Sequence, residues 1–219
     1  MRVKDPKESL KWVLIMVVNI LDIGSGNVKS IQNWIERLHV PIKIITKATE
    51  IDSKFLILPG VGSAGFYMQN LKKGGFDKAI KEHIYNNNSI LGICLGFQIM
   101  GSFSEEDGGV EGLGILDGRV KKLEFSHTGW EKFQFKKQDL GEHKFNSKLK
   151  LTKKQNIDGR VFFNHEYGFI SDSKDVFSKS ISDDLKKYSS MVVKNNIIGM
   201  QFHPEKSQQT GLELLSMVL

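Results

Sequence analysis

In the first hundred residues, short apolar runs alternate with stretches of helical periodicity. "VVNILDI" (17–23) stops at Gly24, Ser25, Gly26 and Asn27, after which Val28, Ile31, Ile35 and Leu38 recur at helical spacing. "PIKIIT" (41–46) reads as a strand, and "KFLILPG" (54–60) is a continuous apolar strand halted by Pro59 and Gly60. "FDKAIKEHIYNNN" (76–88) reads as helix and leads into the strand "SILGI" (89–93), with a further helix starting at Cys94 or Leu95. Strands that are apolar throughout, each followed by a helix, belong to a parallel sheet covered on both faces.

Beyond about residue 108 the texture turns to strands and turns: "GLGILDGRVKKLEF", "WEKFQFKK", "RVFFNHEYGFI" (160–170) and "SSMVVKNNIIGMQF" (189–202). Asn195 and Asn196 predict a tight hairpin turn. "TGLELLSMVL" places Leu212, Leu215 and Leu219 on one helical face that closes the fold. Without internal repeats or low-complexity linkers, the chain reads as one domain over residues 16–219, preceded by a candidate N-terminal extension over 1–15.

A chain of 219 residues buries enough surface to hold a preorganised site without a disulfide or metal staple. Its single cysteine, Cys94, excludes an intrachain disulfide, and no Cys/His cluster has zinc-ligand spacing. A reducing cytoplasmic setting without bound metal is expected. "WVLIMVVNIL" (12–21) is half the length of a bilayer-spanning helix and contains Asn19, so it reads as a buried strand. Asp5 and Glu8 spoil the n-region of a secretion signal. The net charge of +6 is mostly lysine, and between Arg119 and Lys154 acids are interspersed. That mixture describes a solvated surface better than a nucleic-acid face, although it leaves a polyanionic partner open.

Gly92-Ile93-Cys94-Leu95-Gly96 has the form of a nucleophile elbow in its required strand-turn-helix setting. Small neighbours let the backbone turn sharply, and the following helix N-terminus stabilises both thiolate and oxyanion. The stretch alone leaves a second reading open, since free cysteine is commonly a buried apolar filler. A thiol nucleophile needs a base and the base an orienting acceptor. "QFHPE" supplies both: in an extended segment His203 and Glu205 project together, with Pro204 stiffening the backbone. His39 and His83 fall in helical runs, His127 and His143 in polar loops where solvation is ordinary, and His165 in "FFNHEYG" is ambiguous. The loop "LPGVGSAG" (58–65) suits a phosphate cradle or an oxyanion strand, but lacks the Lys-Ser/Thr of a P-loop.

Together "PGVG", "GICLGFQ" and "GMQFHPEKS", in this order and spacing, resemble the class I glutamine amidotransferases. From residue 17 to the C-terminus the chain is similar, more narrowly, to glutaminase subunits of imidazole glycerol phosphate synthases, through "GNVKS" (26–30), "SEEDGGVEGLGILDGRV" (104–120), "HTGW" (127–130) and "NHEY" (164–167). The resemblance implies a three-layer, flavodoxin-like α/β fold with a mostly parallel central sheet and no cofactor. It implies that Cys94 attacks the carboxamide of L-glutamine, that His203 is general base and acid, and that Glu205 orients it. The Leu95 amide and the Gly60-Val61 peptide would form the oxyanion hole, the latter after a partner-linked rearrangement. Gly62, Gly96, Gln98, Glu106 and Tyr167 would hold glutamine, and Asn27, Trp130 and Lys206 would face a (β/α)8-barrel synthase subunit that receives the ammonia.

Two departures stand out: Glu131 where the family commonly has "HMGWN", and Glu166 where it has a small hydroxyl residue. They leave open a paralogue that supplies ammonia for amidino-sugar formation. An unrelated cysteine hydrolase and a silent partner-binding subunit are the more distant alternatives.

Overall fold

The computed structural model describes residues 17–136, 138, 156–173 and 177–219. The candidate extension over 1–15, the start at Met16 and His143 lie outside the described residues. In chain order come β1 (Val18–Leu21), α1 (Val28–Glu36), β2 (Ile42–Ile45), β3 (Phe55–Leu58), α2 (Ala64–Lys73), α3 (Phe76–Tyr85), β4 (Ser89–Ile93) and the short α4 (Leu95–Gln98). The β-rich half follows: β5 (Phe103–Ser104), β6 (Val110–Glu111), β7 (Gly118–Lys136), β8 (Asn156–Ser171), β9 (Phe177–Ser180), β10 (Ser189–Lys194) and β11 (Ile197–Met200), closed by α5 (Gln208–Val218).

The main sheet has the order β2-β1-β3-β4-β11-β10-β9. Its first five strands run parallel, in the order of flavodoxin-like folds, and β10 and β9 add antiparallel at one edge. The apolar runs lack alternation because both faces of the sheet are covered. Val18, Ile20, Phe55, Ile57, Leu91 and Ile93 pack on one face against Ile31, Trp34 and Ile35 of α1 and Leu214, Leu215 and Val218 of α5. Leu21, Leu56, Leu58 and Ile90 pack on the other against Tyr67, Met68 and Leu71 of α2 and Phe76 and Ile80 of α3. A second sheet, β6-β5-β7-β8, is dominated by the long β7–β8 ribbon, whose register breaks between Lys122 and His127.

Several local expectations are refined. The glycine-rich loop ends earlier than "LPGVGSAG" indicates: α2 begins at Ala64 and buries Ala64, Tyr67, Met68 and Leu71, a helical spacing that the neighbouring glycines masked. Asn195, at φ +54°, and Asn196 form the two-residue turn between β10 and β11. On α5, Leu214 joins Leu215 in the core, whereas Leu212 sits at its margin. His39 follows α1 at φ +56° rather than lying within it. His127 is not in a solvated loop: it sits in β7, packed on Phe163 of β8.

Candidate active site

At the C-terminal end of β4 the chain reverses into α4 through Cys94, at φ +52° and ψ −112°. A residue with a side chain adopts a positive φ only where its surroundings impose it. Here the Cys94 N–H donates to the Met200 carbonyl (2.8 Å), and its carbonyl accepts from the Phe97 and Gln98 amides (3.0 Å each). The loop after β3 lies directly against this elbow. A Cβ on Gly96 would stand 1.9 Å from the Leu58 carbonyl oxygen, and one on Gly60 would stand 2.3 Å from the Gly96 nitrogen, so backbone meets backbone.

Cys94 is 7% exposed and opens into a cleft of about 270 Å³. Val61, Gly62, Leu95, Gln98, Glu106, Tyr167, His203 and Lys206, all singled out from the sequence, line the same cleft, joined by Asn164, His165 and Glu166. Asn27 and Trp130 do not line it. Asn27 caps α1, its Oδ1 accepting from the Ser30 amide (3.4 Å). Trp130 is partly exposed on β7 and meets Phe162 edge-on (5.7 Å between centroids), and Lys206 Nζ lies 5.8 Å from the same Phe162 ring. These three side chains thus form a continuous patch at the rim.

His203 is fixed by the strand next to it. Its N–H donates to the Phe162 carbonyl (2.8 Å), and its own carbonyl accepts from Ser207 Oγ (2.6 Å). The expected extended geometry does not continue past it. Pro204–Lys206 is a 3-10 turn, because Pro204 starts a helical turn at its first position and the Lys206 amide returns to the His203 carbonyl (3.1 Å). The turn brings Glu205 under the ring, and Nδ1–H donates to Oε1 at 2.9 Å with both side chains buried. Glu205 Oε2 is buried and meets no donor among the described residues, so His203 is the group that compensates this carboxylate. Burial alone would hold the imidazole below its ordinary value. The hydrogen bond to Cys94, with the bond and charge of Glu205, outweighs burial and pushes His203 up to about 10.

The amide of the Gly60-Val61 peptide does not face the cleft. Val61 N–H donates to the Ser25 carbonyl (3.4 Å) while Ser25 Oγ donates to the Val61 carbonyl (2.6 Å), so one serine holds this residue from both sides. Glu106 Oε2 accepts from the Ala64 amide (3.1 Å). Burial, reinforced by Asp107 and Glu166, holds the Glu106 carboxyl above the usual carboxylate range. Gln98 Nε2 donates to the Tyr167 carbonyl (2.6 Å) and to Gln201 Oε1 (3.1 Å).

Three polar residues of the site were not among the expected site residues: Gln201, His165, which the sequence left ambiguous, and His127, which it placed in a solvated loop. Gln201, with no exposed surface, places Nε2 3.9 Å from Cys94 Sγ. His165 Nδ1 bonds to the Tyr167 carbonyl (2.7 Å) and its Nε2 to His127 Nδ1 (2.9 Å), while His127 Nε2 lies 3.6 Å from Glu131. Burial holds His165 down to about 4. The departure at Glu131 therefore serves His127, and Glu166 stands exposed at the cleft beside Glu106. The signal for Gln201 was its place at i−2 from His203, and the signal for the histidine pair was the strand register that sets His127 opposite His165.

A cysteine elbow at positive φ on a flavodoxin-like sheet, facing a carboxylate-bound histidine, is an arrangement suited to thiol acyl transfer. The family described as "Glutamine amidotransferase class-I" matches residues 19–217, and the chain belongs to it. Among its relatives, the imidazole glycerol phosphate synthase subunit HisH of Chlorobaculum tepidum is 34% identical over 91% of this chain and 97% of that protein. The subunits of the same description from Bacillus subtilis and Listeria monocytogenes serovar 1/2a are 33% and 36% identical over 91% of this chain, covering 94% and 93% of theirs. Among solved structures, a glutamine amidotransferase superposes with a TM-score of 0.69 at 17% identity, covering 91% of this chain and 96% of the other. PurLQS from Thermotoga maritima superposes at 0.68 and 15% identity, covering 93% and 97%. These two share the fold.

Proposed function

We propose that this chain is the glutaminase subunit of an imidazole glycerol phosphate synthase, hydrolysing L-glutamine to glutamate and ammonia and passing the ammonia to a (β/α)8-barrel synthase subunit. The observation that carries the reading is the cleft in which Cys94 meets His203, itself bonded to Glu205 at 2.9 Å. Relatives described as that subunit match over nearly the whole chain and support the pathway.

His203, bonded to Cys94 and Glu205, takes the proton of the thiol, and Cys94 attacks as thiolate. Sγ forms a bond to the carboxamide carbon, the C–N bond breaks, and His203 Nε2 gives its proton to the departing nitrogen as ammonia. Neutral His203 then takes a proton from water, the resulting hydroxide adds to the thioester, and the C–S bond breaks to return thiolate, imidazolium and a γ-carboxylic acid, which releases its proton to solvent as glutamate. Glu205 holds the ring in one tautomer and offsets its charge throughout. The developing oxyanion is met by the Leu95 amide and, once Val61 has turned from Ser25, by the Val61 amide. Gln98, Glu106 and Tyr167 hold the amino-acid end of glutamine. The patch of Trp130, Phe162 and Lys206 at the rim, with Asn27, faces the barrel subunit.

The test is glutamate formation by the chain alone and with the barrel synthase subunit of the same organism, with Cys94→Ala as control. Low activity alone, a large rise in the complex and none in the variant are expected. A complex that yields no glutamate, or an alanine variant that keeps its rate, overturns the reading.

A further inference from the structure

Gln201 takes no part in the steps above, although it is wholly buried against the reacting sulfur. The orientation of its amide is fixed by a chain of hydrogen bonds that starts at a main-chain oxygen. A carbonyl only accepts, so the Gln98 atom 2.6 Å from the Tyr167 carbonyl is the Nε2 amine. That amine also lies 3.1 Å from Gln201, whose facing atom must then be Oε1. The remaining Gln201 atom, Nε2, carries two protons and stands 3.9 Å from Cys94 Sγ. His165 secures the start of the chain, its Nδ1 bonding the same Tyr167 carbonyl at 2.7 Å.

We propose that Gln201 is a catalytic residue whose side-chain amide donates a hydrogen bond to the Cys94 thiolate, held in that orientation by Gln98 and the Tyr167 carbonyl. As a partner of the nucleophile it rests on the glutaminase reading above. A further polar atom near the sulfur, the Asn164 carbonyl at 4.0 Å, can accept from a thiol but offers nothing to a thiolate. His203 is a donor only while it holds its proton, which it gives up to the departing ammonia. Gln201 is a neutral donor in every step. It therefore adds a second donor beside the protonated His203, stabilising the thiolate before attack and again as the leaving group when the thioester breaks. Because Gln98 also lines the cleft, the same chain ties the glutamine-holding wall to the nucleophile.

Cys94 is the only cysteine among 219 residues, so alkylation by iodoacetamide, read by mass spectrometry, reports this sulfur alone. Its rate follows the thiolate fraction and is measured across about pH 5 to 10, spanning the ordinary thiol range. Gln201→Met removes the donor at similar volume, and the midpoint of the profile is expected to rise by about one unit, roughly a tenfold loss of rate below it. Gln201→Glu, which turns a carboxylate toward the sulfur, raises it further. A Gln201→Met profile that overlays the wild type overturns the proposal. As the site is buried, a measurement on the unaltered protein accompanies the variants. In nitrogen-labelled wild type the Gln201 side-chain amide resonances move with the Cys94 titration, and in Cys94→Ala they stay fixed. Resonances that do not follow the alkylation midpoint also overturn it. Neither readout needs glutamine or the partner subunit, so absent glutamate formation sinks the functional reading without deciding the Gln201 hydrogen bond.

Discussion

Glu205 is one of the two groups that hold His203 in its protonated form. The ring is buried, which by itself favours the neutral form, and it is the bonds to Cys94 and Glu205 that push it up to about 10. Glu205→Gln preserves size and a hydrogen-bonding end at 2.9 Å but removes the charge. His203 then titrates at a lower pH, and the alkaline limb of kcat/KM, which reports the protonated imidazole, moves toward neutrality. Glutamate formation in the complex is expected to fall by about 10²- to 10⁴-fold. An alkaline limb in the same place as the wild type's sinks the argument. The sequence made Cys94, His203 and Glu205 legible as candidates because each follows a short-range rule: a glycine-flanked turn, or a separation of two residues. Gln201 shares a two-residue spacing from His203, yet what it and the His127–His165 pair touch was not legible. Their partners lie far along the chain, so only the pairing of β7 with β8 and the neighbourhood of β4 and β11 reveal what they touch.

At the scale of elements, the loops after β1 and β3 are bonded to each other. The Val61 amide cannot serve an oxyanion while it donates to the Ser25 carbonyl, and Ser25 Oγ adds a second bond to the same residue. The loop after β1 thereby holds the loop after β3, and Asn27, which caps α1 two residues beyond Ser25, lies on the segment proposed to face the partner. Ser25→Ala removes one of the two bonds, worth about 0.5–1.5 kcal/mol. If turning Val61 limits the uncomplexed enzyme, its glutaminase rate rises roughly two- to tenfold, and activation by the barrel subunit shrinks by the same factor. A variant with wild-type basal rate and unchanged activation counts against the latch. The strands of the parallel sheet were readable because burial on both faces leaves a continuous apolar signature in "VVNIL" and "FLIL". The start of α2 was not, since Gly60, Gly62 and Gly65 outweigh the helical spacing of Ala64, Tyr67, Met68 and Leu71. Nor was the 3-10 turn at Pro204, where an i, i+2 rule for extended chain anticipated the right pair from the wrong backbone.

At the scale of the whole molecule, the buried histidines pull stability in opposite directions as pH changes. Burial holds His83, His127 and His165 below their ordinary 6.5, His165 down to about 4. Once unfolded they bind protons that the folded chain refuses, so stability falls as pH drops below 6.5 toward 4. His203 does the reverse. Raised from 6.5 to about 10, it contributes fully below 6.5, and that contribution is lost as pH climbs toward 10. A stability maximum near neutrality follows, with two limbs of different origin. Urea denaturation at a series of pH values separates them. His165→Gln keeps a donor for the Tyr167 carbonyl but cannot titrate. Whatever contacts it costs, the slope of unfolding free energy between pH 4 and 6.5 becomes shallower by up to roughly 1.4 kcal/mol per pH unit, the value of one proton. Its alkaline limb stays as in the wild type. Cys94→Ala removes a partner that raises His203 and flattens the alkaline limb while sparing the acid one. If both variants change both limbs alike, the histidines do not govern them, and the acid limb belongs instead to the carboxylates.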